Sequence, residues 1–282
     1  MKILFLGDIV GDAGFKSVKK NLPNIVSKKG IDFVCVNGEN AASEGVGLTE
    51  NIANELFNVG VDVITTGNHV WDQKEIYEYI KTEKKLLRPI NMSGNLPGKG
   101  FSIFNSKKNL KVGVLNLMGN VFMKKCDDVF KIATEFIAEK KKSKDYDFLI
   151  VDFHGEITSE KMAIGNLFDG YATLVVGTHT HVPTNDARVL KNGTSYITDA
   201  GMCGDYDSVI GMNAQNSINR FLKKEAVKHF PANGEASLSG VVVDCDVRNG
   251  LAKNIESFIF GGSLNCLLYT SDAARRRMMC RS

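Results

Sequence analysis

In the first third of the chain, continuous apolar runs alternate with segments in which apolar residues recur at helical spacing. A continuous apolar run at Ile3–Gly7 is followed by a segment, Phe15–Val26, in which apolar residues recur every three to four positions. A second apolar run comes at Phe33–Val36. This order predicts a strand, an amphipathic helix and a second strand.

The same order repeats directly afterwards. Leu48, Ile52 and Leu56 share one helical face, an apolar run follows at Val61–Thr65, and a further helix is predicted around Asp72–Lys81. Strands that alternate with helices in this way are adjacent and parallel, and their crossover connections are right-handed. The chain therefore begins as an α/β protein.

Five later apolar runs also predict strands, namely Val112–Leu117, Phe148–Phe153, Thr173–Val176, Ser195–Thr198 and Leu238–Val243. With the three earlier runs this makes about eight strands, enough for two packed sheets. Residues 91–110 are rich in Gly, Asn, Pro and Lys and indicate a loop or an excursion of short strands. We interpret residues 1–261 as a single domain.

The amino-acid composition and net charge limit the kinds of binding partner to be expected. The chain has 282 residues, 43% hydrophobic and 24% charged, which is typical of a globular protein. The formal net charge of +3 comes entirely from residues 262–282, where four arginines stand against one aspartate. Residues 1–261 are thus neutral overall. A neutral body argues against duplex DNA or RNA as a partner, because duplex binding needs a basic face, but it is compatible with a small phosphorylated substrate.

The same sequence argues against a membrane or secreted protein. No stretch approaches the roughly 20 consecutive apolar residues of a membrane-spanning helix, and Asp8 interrupts the apolar start too early for a signal peptide. The six cysteines are scattered without a Cys-x-x-Cys pair, so neither a disulfide framework nor a thiolate zinc site is indicated. A cytoplasmic protein without a membrane partner is expected.

Residues 262–282 differ in character from the rest of the chain. After Gly261 and Gly262 comes Cys-Leu-Leu-Tyr-Thr-Ser-Asp-Ala-Ala and then an arginine cluster that fits no periodic pattern. This tail resembles a translated sequencing adapter, and we interpret it as a non-native extension that replaces the natural C-terminus. The alternative is a basic arm for nucleic acid or membrane.

Reactive side chains collect where the predicted strands end. In chain order they are Asp8, Glu39 with Asn40, Asn68 with His69, His154, and His179 with His181. Because the carboxyl ends of parallel strands lie along one edge of a sheet, these residues are expected to converge on one crevice. One strand-end histidine alone is more often structural. Four of the five histidines in such positions favour a metal site, and only His229 is interpreted as structural.

Seven of these side chains form a ligand set of three imidazoles, two carboxylates and two amide oxygens: Asp8, Glu39, Asn40, Asn68, His154, His179 and His181. Nitrogen and oxygen donors without thiolate favour manganese, iron or zinc over magnesium or copper. Seven ligands are too many for one tetrahedral ion, so the set predicts two divalent ions that share a carboxylate. Paired ions about 3.5–4 Å apart bind phosphate oxygens, acidify a bridging water to hydroxide and stabilise the charge of in-line attack.

The motifs that carry these residues resemble those of the calcineurin-like metallophosphoesterases and, within them, the YmdB-like bacterial phosphodiesterases. The resemblance spans about residues 1–260 and rests on the following segments: Gly7-Asp8, Gly38-Glu39-Asn40, Gly67-Asn68-His69, Phe153-His154, Gly177-Thr178-His179-Thr180-His181, Arg88-Pro89, Pro97-Gly98-Lys99-Gly100, residues 198–202 and residues 239–242.

The resemblance implies a four-layer α-β-β-α sandwich of two mixed sheets flanked by helices. It also implies a binuclear metal-dependent phosphodiesterase acting on 2′,3′-cyclic nucleotides and 3′,5′-cyclic AMP, with a metal-bridging hydroxide as nucleophile, and a homo-oligomer. By that likeness Glu39 bridges the ions, and His69 is the catalytic residue that protonates the leaving alcohol or binds the phosphate. The remaining ligands divide into Asp8, Asn40 and His181 for one ion and Asn68, His154 and His179 for the other.

Two positions depart from the wider superfamily. Val10 stands where an Asp-x-His motif would have its histidine, and Glu39 replaces the usual bridging aspartate. The YmdB-like branch shares both departures, and Asn40 would compensate for the missing imidazole, which favours iron or manganese. Asp199 is a candidate to orient a ligand histidine. The alternatives to this function are a phosphomonoesterase or nuclease with the same centre, and a regulatory scaffold with secondary catalytic activity.

Overall fold

The computed structural model describes residues 1–143, 145–223 and 228–264. Thirteen strands and six helices occur in these residues. The strands are β1 (Lys2–Leu6), β2 (Asp8–Ile9), β3 (Phe33–Asn37), β4 (Val63–Thr65), β5 (Phe101–Asn105), β6 (Lys111–Met118), β7 (Phe148–His154), β8 (Leu174–Thr178), β9 (Arg188–Val189), β10 (Ser195–Ile197), β11 (Met202–Asp205), β12 (Ala236–Cys245) and β13 (Ala252–Phe260). The helices are α1 (Gly11–Lys29), α2 (Glu50–Asn58), α3 (Ile76–Thr82), α4 (Val129–Ser143), α5 (Thr158–Leu167) and α6 (Ala214–Phe221).

The strands form two mixed sheets. The first has the order β2-β11-β12-β1-β3-β4, with β13 paired to β12, and the second has the order β5-β6-β7-β8-β10-β9. The pairs β1–β3, β3–β4, β6–β7 and β7–β8 are parallel. The parallel part of each sheet therefore has its carboxyl ends on one edge, which is where the predicted ligands lie.

Alternate residues of each central strand face different apolar layers. Leu4 and Leu6 of β1 pack in the layer that also contains residues of α1 and α2, whereas Ile3 and Phe5 pack against the second sheet. The second sheet divides its strands likewise, between this middle layer and a third layer shared with α4 and α5. The order of layers is helices, sheet, sheet, helices, as the sequence analysis predicts.

Local signals fix how the chain enters this sandwich. Helix α1 stops at Gly30, which adopts the left-handed conformation with φ 64°, so that the chain turns at once toward β3. The side chain of Thr49 accepts a hydrogen bond from the backbone N–H of Ile52 and so begins α2. The first signal ends a helix before a strand of the first sheet, and the second begins the next helix of the outer face.

Each of the eight predicted strands has a counterpart, and the parallel pairing of the first three is confirmed. Strand β5 lies in residues 91–110, where a loop or an excursion of short strands is expected. The pattern does not predict β2, β9, β11 or β13, so the expected number of strands is too low. Strand β13 is the longest of these four. Only Ile255 and Phe258 of this strand are buried, and its exposed positions include Lys253 and Glu256, so no apolar run reveals it.

Two predictions about the organisation of the chain are not tested by the described residues. The tail interpreted as non-native lies mostly outside them, because they end at residue 264. The assignment of residues 1–261 to one domain stays a prediction. Within the described part, no helix has both the length and the apolar character needed to cross a membrane.

Candidate metal centre

The carboxyl ends of strands from both sheets meet at one site, and together they supply all seven predicted ligands. The first sheet supplies Asp8 on β2, Glu39 and Asn40 after β3, and Asn68 after β4. The second sheet supplies His154 at the end of β7, and His179 and His181 after β8. Except for His179, each of these residues is buried. The site therefore lies across the junction of the two sheets.

His154 is the centre of the first group of contacts. Its Nε2 lies 3.0 Å from Glu39 Oε1, 3.1 Å from Asn68 Oδ1 and 3.0 Å from Nδ1 of His179. Donor atoms of Glu39, His154 and His179 all lie within 4.8 Å of one another. This spacing is compatible with one metal ion.

A second group of contacts surrounds Asn40. Its Nδ2 lies 3.2 Å from Glu39 Oε1 and 3.3 Å from His181 Nε2. His181 Nε2 in turn lies 3.8 Å from Asp8 Oδ1. Glu39 Oε1 is common to both groups, because it contacts His154 in the first and Asn40 in the second.

Two buried oxygen atoms in this site have no hydrogen-bond partner among the described residues, Asp8 Oδ1 and Asn40 Oδ1. A buried acceptor without a partner costs about 1–3 kcal/mol, so a group of such atoms needs an explanation. His154 Nε2 lies close to a carboxylate oxygen, an amide oxygen and a second imidazole, and this concentration of ligand-type atoms also needs an explanation. Divalent cations bind this mixture of oxygen and imidazole donors, and the residues therefore fit the predicted metals.

The opposite edge of the His154 ring rests on a buried network that the sequence analysis missed. Thr178 Oγ1 donates to Asp152 Oδ1 at 2.7 Å and therefore accepts from His154 Nδ1 at 2.9 Å. Nε2 is consequently the unprotonated nitrogen of the neutral ring. Thr65 of the first sheet also donates to Asp152, at 2.5 Å. The sequence feature that could have revealed Asp152 is the presence of a carboxylate inside the apolar run Phe148–Phe153.

The charges of the site shift its pKa values in opposite directions. Burial alone raises the pKa of Glu39, but the charge of His154 and hydrogen bonds from His154 and His69 outweigh it and lower the pKa to about 2. Burial lowers the pKa of His154, yet the carboxylates of Glu39 and Asp8 raise it to about 9. Burial and the charge of His154 lower the pKa of His179 to about 3. The carboxylates that raise the pKa of His154 favour positive charge at this position, which a bound cation would supply in place of a second ring proton.

Gly67 shows why a glycine precedes the ligands of β4. A Cβ atom at this position would lie 2.2 Å from Cδ2 of His154 and 2.3 Å from Oε2 of Glu39. Both neighbours are held by buried contacts, so neither side chain can move aside without disturbing the ligand set. A glycine at this position thus allows the backbone to approach the side chains of His154 and Glu39 closely.

His179 and His181 flank Thr180 in a turn with a strained backbone. Their φ values are 100° and 67°, in the left-handed region that non-glycine residues rarely adopt. Asp199 Oδ2 accepts hydrogen bonds from the backbone N–H of Thr180 at 3.2 Å and from its hydroxyl at 2.7 Å. Asp199 thus orients the two histidines through the residue between them.

Asp199 also forms a buried ion pair with Lys161 of α5. The Nζ–Oδ2 distance is 2.6 Å, and both side chains are 1% exposed. We expect Lys161→Met to lower the free energy of unfolding by about 3–5 kcal/mol, because it leaves the Asp199 carboxylate buried without a counter-charge. Urea denaturation of the purified variant measures this.

Lys2→Met is the matched control. Lys2 pairs with Asp244 at 3.8 Å, and about two fifths of each side chain is exposed, so its loss should cost less than about 1 kcal/mol. Equal losses for the two variants would contradict the assignment of a structural role to the buried pair.

His69 follows the ligand Asn68 and lines the cleft beside the ligands. Its backbone N–H donates to Glu39 Oε2 at 3.1 Å, and its Nδ1 lies 2.6 Å from Asp72 Oδ2. The other oxygen of Asp72 lies 3.5 Å from Lys124 Nζ. Asp72 therefore fixes the orientation of the ring by holding Nδ1, an arrangement that the sequence analysis did not anticipate.

Comparison with known proteins agrees with this geometry. A family model described as YmdB-like protein matches residues 4–258. The chain is 46% identical over 259 residues to the 2′,3′-cyclic-nucleotide 2′-phosphodiesterase of Bacillus subtilis (strain 168), covering 92% of this chain and 97% of the relative. The chain belongs to the YmdB-like family. The predicted family and the predicted enzyme class, a phosphoric diester hydrolase, are confirmed.

Two crystal structures resemble this YmdB-like protein over nearly its whole length. One is a hypothetical protein from Thermus thermophilus, with a TM-score of 0.86, 36% identity and coverage of 93% of this chain and 100% of that chain. The other is described as a novel phosphatase from Mycoplasma pneumoniae, with a TM-score of 0.85, 39% identity and coverage of 93% of each chain. The predicted sandwich is thus confirmed as the fold of a phosphatase relative.

Val10 of this YmdB-like protein is buried next to the site. Its backbone N–H donates to the carbonyl of Cys203 at 2.9 Å, and it forms a parallel bridge with Asn40. The residue that replaces the expected histidine of the wider superfamily thus packs as part of the sheet.

Four of the predicted ligands of this YmdB-like protein, Glu39, Asn40, His179 and His181, line a cleft of about 370 Å³. Besides ligands and His69, its walls include Val46, Glu156, Ile210, Met212 and His229. Glu156 Oε2 lies 3.2 Å from Nε2 of His179. The interpretation of His229 as a structural residue away from the site is incomplete, because its ring lines this cleft and also contacts Ser217 Oγ at 3.1 Å.

Proposed function

We propose that this protein is a binuclear, divalent-metal-dependent phosphodiesterase that hydrolyses small cyclic nucleotides, including 2′,3′-cyclic and 3′,5′-cyclic AMP. The observation that carries the proposal is the pair of buried, unpartnered oxygens Asp8 Oδ1 and Asn40 Oδ1 beside a histidine nitrogen that faces three donor atoms. The name of the Bacillus subtilis relative supports 2′,3′-cyclic nucleotides as the substrate class.

In this proposal Glu39 is shared by two ions. The other ligands divide as their contacts do, with Asp8, Asn40 and His181 on one side and Asn68, His154 and His179 on the other. Two bound ions would polarise the phosphate and lower the pKa of a water molecule, so that hydroxide is available as the nucleophile at neutral pH. The two amide oxygens favour iron or manganese, with zinc as a further option.

His69 serves the leaving group. Asp72 holds Nδ1 of its ring at 2.6 Å, which leaves Nε2 for the substrate in the cleft. From this position the imidazole donates a proton to the departing ribose oxygen or a hydrogen bond to the phosphate. Thr178 and Asp152 meanwhile keep the proton of His154 on Nδ1, so that the ligating nitrogen remains free.

The dimensions of the cleft support a small substrate. Its volume of about 370 Å³ lies at the lower end of the range of about 300–1,000 Å³ typical of small-molecule sites. Residues 1–261 carry no net charge, and this offers no extended basic track for a polynucleotide. A mononucleotide diester meets both conditions.

The proposal is tested by metal analysis of the purified protein together with hydrolysis of 2′,3′-cyclic AMP. We expect about two metal ions per chain, loss of turnover in a chelator and recovery on addition of manganese. Bis(p-nitrophenyl) phosphate serves as a second diester, and p-nitrophenyl phosphate as the corresponding monoester.

A protein that contains metal but prefers the monoester would be a phosphomonoesterase, and one that prefers long RNA would be a nuclease. A metal-loaded protein that hydrolyses none of these compounds would favour the regulatory scaffold. Each of these results excludes the proposed substrate class.

A further inference from the structure

The cleft at the metal centre lies next to a second cavity of about 360 Å³. The two share Ile210 and His229 in their walls, and the second cavity adds Val209, Ser217, Arg220 and Phe221. The second space therefore lies beside the position proposed for the substrate phosphate. The cavity contains no predicted ligand, so metal binding does not explain it.

Ile210 lines both cavities and has a strained backbone conformation. Its φ is 50°, which is rare for a β-branched residue, and 52% of the residue is exposed. Its carbonyl oxygen lies 2.7 Å from Nδ1 of His181 and accepts the proton of that nitrogen. One residue thus orients a ligand histidine with its backbone and presents an apolar side chain to the cleft. Strain of this kind persists where the surrounding structure holds it, and it is frequent at binding sites.

Helix α6 has an unusual distribution of polar and apolar residues. Its buried residues are Asn216 and Ser217, which bind the carbonyl of Lys228 at 3.2 Å and Nε2 of His229 at 3.1 Å. Its apolar residue Phe221 is 83% exposed. A helix that buries polar groups and exposes a phenyl ring at the rim of a cavity offers a surface for an apolar ligand.

The chemistry of the second cavity suits a planar heterocycle. Phe221 and Arg220 offer a ring and a guanidinium plane on which a base stacks. Burial, with the charge of Arg220, lowers the pKa of His229, so its imidazole is neutral at pH 7 and has both a donor and an acceptor nitrogen. Ser217 adds a hydroxyl group. Aromatic, cationic and two-way hydrogen-bonding groups together match a nucleobase, which has a flat face and a polar edge.

The geometry points to a nucleobase subsite formed by Ile210, Ser217, Arg220, Phe221 and His229, which selects nucleoside phosphodiesters over simple phosphate diesters. This inference rests on the proposed function, because the phosphate must lie at the metal ligands for the base to reach the second cavity. It deepens that function by assigning the base to residues that no part of the metal centre requires.

The test is equilibrium binding to the manganese-loaded protein, measured by titration calorimetry with adenosine 3′-phosphate and with inorganic phosphate. The wild type is expected to bind the nucleotide at least about tenfold more tightly than phosphate, a ratio in the range of one base-stacking contact. The double variant Arg220→Ala/Phe221→Ala should lose most of this ratio. Because the ratio is taken on one preparation, the fraction of folded protein cancels.

Arg248→Ala/Phe260→Ala is the matched control. Both residues are exposed and neither lines the cleft or the second cavity, so this variant should keep the wild-type ratio. A wild type without preference for the nucleotide, or a cavity variant with an unchanged ratio, overturns the subsite. A change of oligomeric state in the cavity variant, with its ratio unchanged, identifies α6 as a contact between copies and also overturns it.

The two proposals fail in different ways. If the wild type hydrolyses no diester, the proposed function is wrong, and the binding ratio still decides the subsite. If the wild type hydrolyses 2′,3′-cyclic AMP, the ratio of kcat/KM for this substrate over ethylene phosphate, a cyclic diester without a base, provides a second reading. This ratio should fall about tenfold in the cavity variant, and an unchanged ratio contradicts the subsite.

Discussion

Replacing Glu39 by Gln should remove metal binding and turnover together. The two side chains have nearly the same shape, but the amide loses the charge and one acceptor. Glu39 Oε1 touches both groups of ligands, at 3.0 Å from His154 Nε2 and 3.2 Å from Asn40 Nδ2. We expect the metal content to fall from about two ions per chain to one or none, and kcat/KM to fall on the order of 10⁴-fold or more, which corresponds to about 5 kcal/mol.

Metal analysis and initial rates with 2′,3′-cyclic AMP measure the effect, and Glu160→Gln is the matched control. Glu160 is also a buried carboxylate, 7% exposed, but it accepts from the backbone of Asn120 at 2.9 Å away from the ligands. The control should retain its metal. If Glu39→Gln kept full activity after metal depletion, the two-metal mechanism would be wrong.

His69→Ala should separate catalysis from metal binding. The side chain of His69 is not in the ligand set, so the metal content should remain that of the wild type. Turnover of 2′,3′-cyclic AMP should fall about 10²–10⁴-fold, the usual contribution of a positioned acid or base. Asp72→Asn should give a smaller loss, about tenfold or more, because it disturbs only the orientation of the ring.

The leaving group distinguishes the two roles proposed for His69. Nitrophenolate departs without a proton, so loss of a proton donor should affect bis(p-nitrophenyl) phosphate much less than 2′,3′-cyclic AMP. Loss of a phosphate contact should affect both substrates equally. Full activity of His69→Ala on 2′,3′-cyclic AMP would exclude either role.

The seven predicted ligands converge on one site, as the sequence analysis expects, for a topological reason. Parallel strands end on one edge, so polar residues after five apolar runs identify a common site without knowledge of the distances. The α/β start follows from the alternation of continuous apolar runs with segments of helical period in residues 1–82. What the sequence cannot supply is the relative placement of the two sheets. No local pattern states that Thr65 of β4 and Thr178 of β8 bind the same carboxylate of Asp152.

The roles of other residues cannot be predicted from the sequence, because the groups around them come from distant segments. Lys161 looks like an ordinary surface lysine of a helix, and only the packing of α5 beside β8 buries it against Asp199. His229 follows a charged stretch and has no strand before it, so the rule that finds the other histidines does not apply. Strand β13 is partly exposed, and exposure removes the apolar run on which strand prediction depends.

Asp152 also has a mechanical consequence. Its carboxylate accepts hydrogen bonds from Asn37 and Thr65 of the first sheet and from Thr178 of the second. The spacing of the predicted metal ligands therefore depends on how closely the two halves of the sandwich are held together. A core substitution in the middle layer, such as Phe148→Leu, would let the halves settle by a fraction of an ångström. Metal affinity is sensitive to such a displacement because ligand distances must hold to within about 0.2 Å. The geometry of the predicted centre thus depends on the packing of the whole sandwich. A loss of bound metal would reveal looser packing before the protein unfolds.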